Sequence, residues 1–233
     1  MAITAGRASR VCAALCASAF ITLPGVTAAL SPAQQELEQV RRSTPNLDRG
    51  AELFRLCADC HGAAGGGTAH GMVPRIAGQH ASVLEKQLVD YRYDRRWDLR
   101  MEQIASRHHL ADAQAIADVA EYVSRLKGAV ANGEGNGQLL EHGAETYAAL
   151  CRGCHGDDGQ GDAQRVIPRI AGQNYEYLRR QIYDAVDGRR PNFSPAHIRL
   201  LARLDHEDIQ AVADYVARLP GNAAGGQPGA SRR

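Results

Sequence analysis

Cys57-Ala58-Asp59-Cys60-His61 and Cys151-Arg152-Gly153-Cys154-His155 decide the fold, because one five-residue pattern stands twice in the chain, 94 positions apart. At the same displacement Pro74-Arg75-Ile76-Ala77-Gly78-Gln79 returns as Pro168-Arg169-Ile170-Ala171-Gly172-Gln173. Further on, Asp118-Val119-Ala120-Glu121-Tyr122-Val123 matches Val212-Ala213-Asp214-Tyr215-Val216 and sets Tyr122 opposite Tyr215. Self-similarity at a fixed spacing marks a duplicated unit, so the 233 residues read as one small domain used twice.

Within each unit the apolar spacing predicts short helices and no alternating strand, an all-α chain. Helical turns run into the Cys motifs (48–56 and 141–150), a Gly-rich loop follows, helices after the Gln span 81–92 and 175–186, and closing helices span 112–126 and 205–219. Asp205 and Asp208 read as N-cap and first-turn acid of the last helix, with Gly128 and the Pro220-Gly221 pair as stops. The expected domains are 30–128 and 138–220, joined by a Gly-rich linker 129–137 and followed by a disordered tail 221–233. Phe54 with Tyr122, and Tyr147 with Tyr215, are expected to pack the first helix of each unit on its last.

Ahead of the first unit, Arg7 and Arg10 precede an apolar run from Val11 to Val26 that ends in small residues, the layout of an export signal over 1–29. Pro24 and Gly25 interrupt a run already shorter than the roughly 20 residues that span a bilayer, which argues against a membrane anchor. With Lys plus Arg at 27 and Asp plus Glu at 26, nothing suggests a nucleic-acid partner. Aromatics are 5% of the chain, thin for a core that closes unaided, and a large apolar group in each unit would supply the missing buried surface.

Removal of the signal takes Cys12 and Cys16 and leaves four cysteines, all in the two motifs. Two thiols two residues apart, followed at once by His, suit attachment of a c-type haem: the thiols add to the vinyl groups and the imidazole reaches the iron. A zinc site would need further Cys or His ligands at regular spacing, which the chain lacks. Cys57, Cys60, Cys151 and Cys154 are therefore the expected attachment points of two covalent haem c groups, with His61 and His155 as iron ligands.

These residues resemble the dihaem cytochrome c4 type, tandem class I cytochrome c domains, each a few short helices around one covalent haem. The resemblance rests on CxxCHG, the Gly-rich loop, P-R-I-A-G-Q, a Tyr-rich helix ending near Arg-Arg and the closing helix, each present twice. It implies that the carbonyls of Pro74 and Pro168 support the proximal imidazoles. It also implies a Met sixth ligand, and among three methionines Met101, five residues after Arg96, is the expected one, since Met1 initiates and Met72 adjoins Pro74. The second unit has no Met. There His197, seven residues before Leu204, is the candidate, with an iron left open to another group as the alternative. His108 and His109 could compete with Met101, and His206 is expected to face solvent.

Arg96 and Arg190, with their neighbours Arg95 and Arg189, either pair with haem propionates or are solvated. Gln79 and Gln173 either bond at the haem edge or cap their helices, and Trp97 is expected to cover haem. The implied function is single-electron transfer in the periplasm between respiratory redox proteins, periplasmic or membrane-bound, by a protein not itself integral to the membrane after signal cleavage. The alternatives are a dihaem subunit docked on a sulfur-compound dehydrogenase, or a small oxidoreductase of peroxidase type that uses the Met-less second haem.

Overall fold

The computed structural model describes residue 2 and residues 29–128 and 133–220; most of the expected export signal, all of the tail 221–233 and residues 129–132 of the linker lie outside the described residues. Ten helices and one isolated bridge between Asp162 and Ile167 make up the described structure. In the first half they are α1 (Pro32–Arg42), α2 (Leu47–His61), α3 (Ala81–Arg92), α4 (Leu99–Ala105) and α5 (Ala113–Arg125). The second half holds α6 (Leu140–Leu150), α7 (Arg152–His155), α8 (Tyr175–Val186), α9 (Pro195–Leu201) and α10 (His206–Arg218).

In each half the helix that leads into the Cys motif, α2 or α6, crosses the last helix through a missing side chain. A Cβ on Gly50 would stand 2.3 Å from the Asp118 carbonyl oxygen of α5, and one on Gly143 would stand 2.2 Å from that of Ala211 in α10. Backbones this close bring Phe54 onto Tyr122 and Tyr147 onto Tyr215, each pair at 5.5 Å between ring centroids and 48° between planes. Burying rings and β-branched side chains at such crossings contributes about 1.5–3 kcal/mol apiece. A buried carboxylate then pins the approach to α2 and to α6: Asp118 accepts from the Asn46 N–H at 2.8 Å, and Asp214 from those of Gly135 and Gly137 at 2.9 and 2.8 Å.

Helices α3 and α8 span the expected residues, and α5 and α10 lie between caps at the expected ends. Asp205 and Asp208 form a reciprocal capping box at α10. Where the reading expected a turn over 48–56, α2 runs on without a break through the Cys motif to His61. Its counterpart is split at Cys151 into α6 and α7. Three residues separate Tyr147 from Cys151 and only two separate Phe54 from Cys57. One added residue turns a helix by about 100°, so an unbroken helix could not keep Tyr147 on α10 and His155 on its own loop.

Three helices were not anticipated. α1 is opened by a capping box in which the Ser31 hydroxyl accepts from the Gln34 N–H and the Gln34 side chain accepts from the Ser31 N–H. It buries Ala33, Glu36 and Val40. The first core accordingly gathers Val40, Phe54, Val89, Ile116, Val119 and Val123. The second shrinks to Tyr147, Val212 and Val216, with Ile170, Leu178 and Ile182 half-buried around it. The other two, α4 and α9, carry Met101 and His197.

Candidate haem sites

His61 ends α2 and His155 ends α7, both buried. Each ring Nδ1 lies 2.9 Å from a proline carbonyl oxygen, His61 from Pro74 and His155 from Pro168. A proton on Nδ1 donated to that carbonyl leaves the Nε2 lone pair for a metal and fixes the ring's direction. The loops between are folded alike: the Gly67 N–H donates to His61 O and the Gly161 N–H to His155 O, both at 2.8 Å. Burial pushes both imidazoles below their ordinary pKa, against the opposing pull of the proline carbonyl, and so favours the neutral, metal-binding form. Cys57 and Cys151 are half-buried, and burial pushes each thiol up to about 11; Cys60 and Cys154 are exposed. None of the four is in a disulfide.

Helices α4 and α9 are each seven residues long and capped alike. Asp98 accepts from the Met101 N–H at 3.3 Å, and Ser194 accepts from the His197 N–H at 3.2 Å. Met101 and His197 thus hold the same third position of equivalent helices, although the spacing between them is 96 rather than 94. Between Arg190 and the cap stand Pro191, Asn192 and Phe193, where the first half has only Trp97. The rings of His155 and His197 are 6.2 Å apart, centroid to centroid. Two imidazoles on one metal require roughly this, two bonds of about 2 Å plus the radius of each ring. Phe193 meets the His197 ring edge-on at 4.7 Å, and burial, then His155 and Arg190, push His197 down to about 4.

The other histidines stand elsewhere. His108 and His109 pack on each other at 4.8 Å in the turn after α4, with His108 exposed. His206 is exposed and hydrogen-bonded to Tyr183 and Gln210. Met72 is also exposed. Trp97 is 58% exposed and donates its indole N–H to the Asp94 carbonyl at 3.0 Å.

Three polar side chains reach across to the other half. Gln79 and Gln173 each accept from the N–H of the next residue, His80 and Asn174 at 3.0 and 2.9 Å, where α3 and α8 begin, and each also grips the backbone of the other half. Gln79 donates to Arg169 O at 2.8 Å and accepts from its N–H at 2.9 Å, and Gln173 does the same with Arg75 at 2.8 and 3.1 Å. A side-chain amide paired in this way acts as a short piece of strand, satisfying two backbone groups at once. Arg96 is not solvated. Buried beneath the Tyr91 ring, it donates to Tyr177 at 2.6 Å and Gln181 at 3.0 Å, both on α8, and to Gln87. Arg190 lies over Phe193, and burial, then Arg96, push its guanidinium down to about 10. Arg95 and Arg189 are exposed and pair with nearby aspartates.

Among the described residues no group of three or more His, Cys, Asp and Glu side chains could hold a bare metal ion. The donor set suits haem instead: paired thiols, one carbonyl-braced imidazole in each half, and buried guanidinium nitrogens without a protein acceptor, Arg75 Nη1 and Arg190 Nε, fit for carboxylates. The cytochrome c family matches residues 47–127 and again 140–220. The chain is 32% identical over 178 residues to cytochrome c4 of Pseudomonas aeruginosa, covering 73% of this chain and 87% of that one. It is also 32% identical over 170 residues to a thiosulfate dehydrogenase electron acceptor of Stutzerimonas stutzeri, covering 70% and 78%. The crystal structure of reduced recombinant cytochrome c4 from Pseudomonas stutzeri superposes with a TM-score of 0.68 at 27% identity, over 76% of this chain and all of that one. The chain therefore belongs to the cytochrome c family, as a tandem-domain electron-transfer protein of the cytochrome c4 type with two covalently bound haem c groups.

Proposed function

We propose that the chain is an exported, periplasmic electron carrier whose two sites differ in sixth ligand, Met101 in the first half and His197 in the second. Bound haem iron supplies the chemistry, exchange of one electron between Fe(II) and Fe(III). Cys57, Cys60, Cys151 and Cys154 tether the groups, and His61 and His155, oriented by Pro74 and Pro168, provide the proximal nitrogens. The observation that carries the asymmetry is the shared helix position of Met101 and His197, together with the 6.2 Å between the His155 and His197 rings. A soft thioether favours the ferrous state and a second imidazole the ferric state, so the second site has the lower potential. Electrons then enter through the second half and collect in the first.

Arg96 and Arg190, close together where the halves meet, provide positive charge for propionates there. Donor and acceptor are periplasmic or membrane-bound redox proteins, and likeness to an electron acceptor of thiosulfate dehydrogenase supports a sulfur-compound dehydrogenase as one donor. No helix among the described residues is long and apolar enough to cross a membrane. Optical and low-temperature EPR spectra of the oxidised protein test the reading. One His/Met and one bis-His low-spin haem are expected; a high-spin second haem that takes up cyanide readily would replace it with catalysis at an open iron.

A further inference from the structure

The first half contains a buried ionic cluster with no counterpart among the described residues of the second. Glu36 of α1 is 3% exposed and bonds Arg92, the last residue of α3. Arg107 lies 3.1 Å from the other Glu36 oxygen and donates to Tyr93 at 3.3 Å. Arg92 spends its remaining donors on main chain, giving Nε to Ala105 O at 2.7 Å and Nη2 to Leu110 O. Ala105 is the last residue of α4 and Leu110 ends the turn that follows, so one guanidinium spans the C-terminal side of the segment bearing Met101. Asp98 already caps its N-terminal side.

In the second half the last residue of α8, where Arg92 stands in α3, is Val186, 41% exposed. The described residues 133–139 ahead of α6 form no helix that could bring a carboxylate. α9 buries only Leu201, and its tether lies on the other side, where Asn192 donates to Asp90 at 2.9 Å and Gln87 at 3.2 Å in the first half. A buried ion pair with one partner deleted costs about 3–5 kcal/mol, because the remaining charge is stranded. Glu36 and Arg92 therefore depend on each other, and the α4 segment depends on both.

From this geometry we infer that Glu36 and Arg92 are positioning residues for Met101: they clamp the C-terminal side of its helix so that a thioether, which by itself holds ferric iron more weakly than an imidazole, keeps the sixth position of the first site against exogenous ligands. The inference rests on Met101 and His197 being the ligands. The first site then remains a protected one-electron store.

The test is cyanide titration of the full-length mature dihaem protein, following each haem by its spectrum, with Arg92→Gln, Arg92→Lys, Glu36→Gln and Met101→Ala. In the unmutated protein the first haem is expected to keep Met101 and resist cyanide. Arg92→Gln should raise cyanide affinity at the first haem about tenfold, or ~1.4 kcal/mol, and lower its potential, with the second haem unmoved; Arg92→Lys should recover part of the loss. A folded Arg92→Gln protein with unchanged first-haem affinity overturns the clamp, as does an equal shift at both haems, which signals general loosening. Met101→Ala separates the two ideas: if the Met-to-iron band survives, the ligand assignment itself fails. Should neither clamp variant fold, hydrogen exchange on the unmutated haem protein decides, with amides of 99–110 expected to outlast those of 195–204 and equal protection counting against the clamp.

Discussion

The two halves share an aromatic crossing of the same distance and angle and a His-to-Pro hydrogen bond of 2.9 Å, yet they brace α4 and α9, the short helices that carry Met101 and His197, from different directions. In the first, α1 adds Val40 and Glu36 to the core, and Arg92 secures the far end of α4. In the second, the described residues form no such layer, and α9 is tethered through Asn192 to its neighbour domain. Duplication preserved the parts that place His61 and His155 and let the surroundings of Met101 and His197 diverge. The proximal side must meet a fixed covalent attachment. The distal side can be altered by short insertions, such as the two extra residues before α9.

Exchanging the ligands would break the comparison most severely. His197→Met is expected to raise the second potential and Met101→His to lower the first, each by on the order of a quarter of the ~0.8 V that axial ligands span. Spectroelectrochemistry reads both, and two potentials that fail to move in opposite senses would remove the assigned asymmetry. Next in size are Gly50→Ala and Gly143→Ala, which push a Cβ into backbone at 2.3 and 2.2 Å. Overpacking of this kind costs about 1–3 kcal/mol, and calorimetry should place the larger loss in the second half, whose core is smaller.

Gln79→Ala and Gln173→Ala sharpen the comparison at the boundary. Each removes a paired grip on the other half, and about 1–3 kcal/mol is expected for the backbone groups left unsatisfied. The expected result is separation of one unfolding transition into two in calorimetry, similar for both variants; a single unchanged transition would show that these amides do not couple the halves. Ser31→Ala should have the smallest effect, about 1 kcal/mol for a lost N-cap. It should be confined to the first half and appear as faster hydrogen exchange in α1.

Much of this was legible in the chain itself. The repeats, the Cys motifs and the bounds of α3 and α8 follow from local pattern, because apolar period and capping residues act over a few positions. The capping box at Ser31 was also there to be read, as Ser-Pro-x-Gln. Short helices such as α4 and α9 carry too few apolar positions to announce themselves, and the split at Cys151 shows only when the spacing from Tyr147 is compared with that from Phe54. The reach of Gln79, Gln173 and Arg96 was not legible because their partners lie 81 to 98 residues away, in the other half.

By itself, then, the sequence determined the duplication, the attachment chemistry and the candidate ligands, since a thiol pair with an adjacent imidazole needs no distant residue to be recognised. Only the tertiary structure decided that Met101 and His197 occupy one helical position, that two glutamines lock the halves together, and that Glu36 reaches Arg92 across 56 residues. Those facts depend on where separate helices come to lie against one another, which packing decides and local pattern does not.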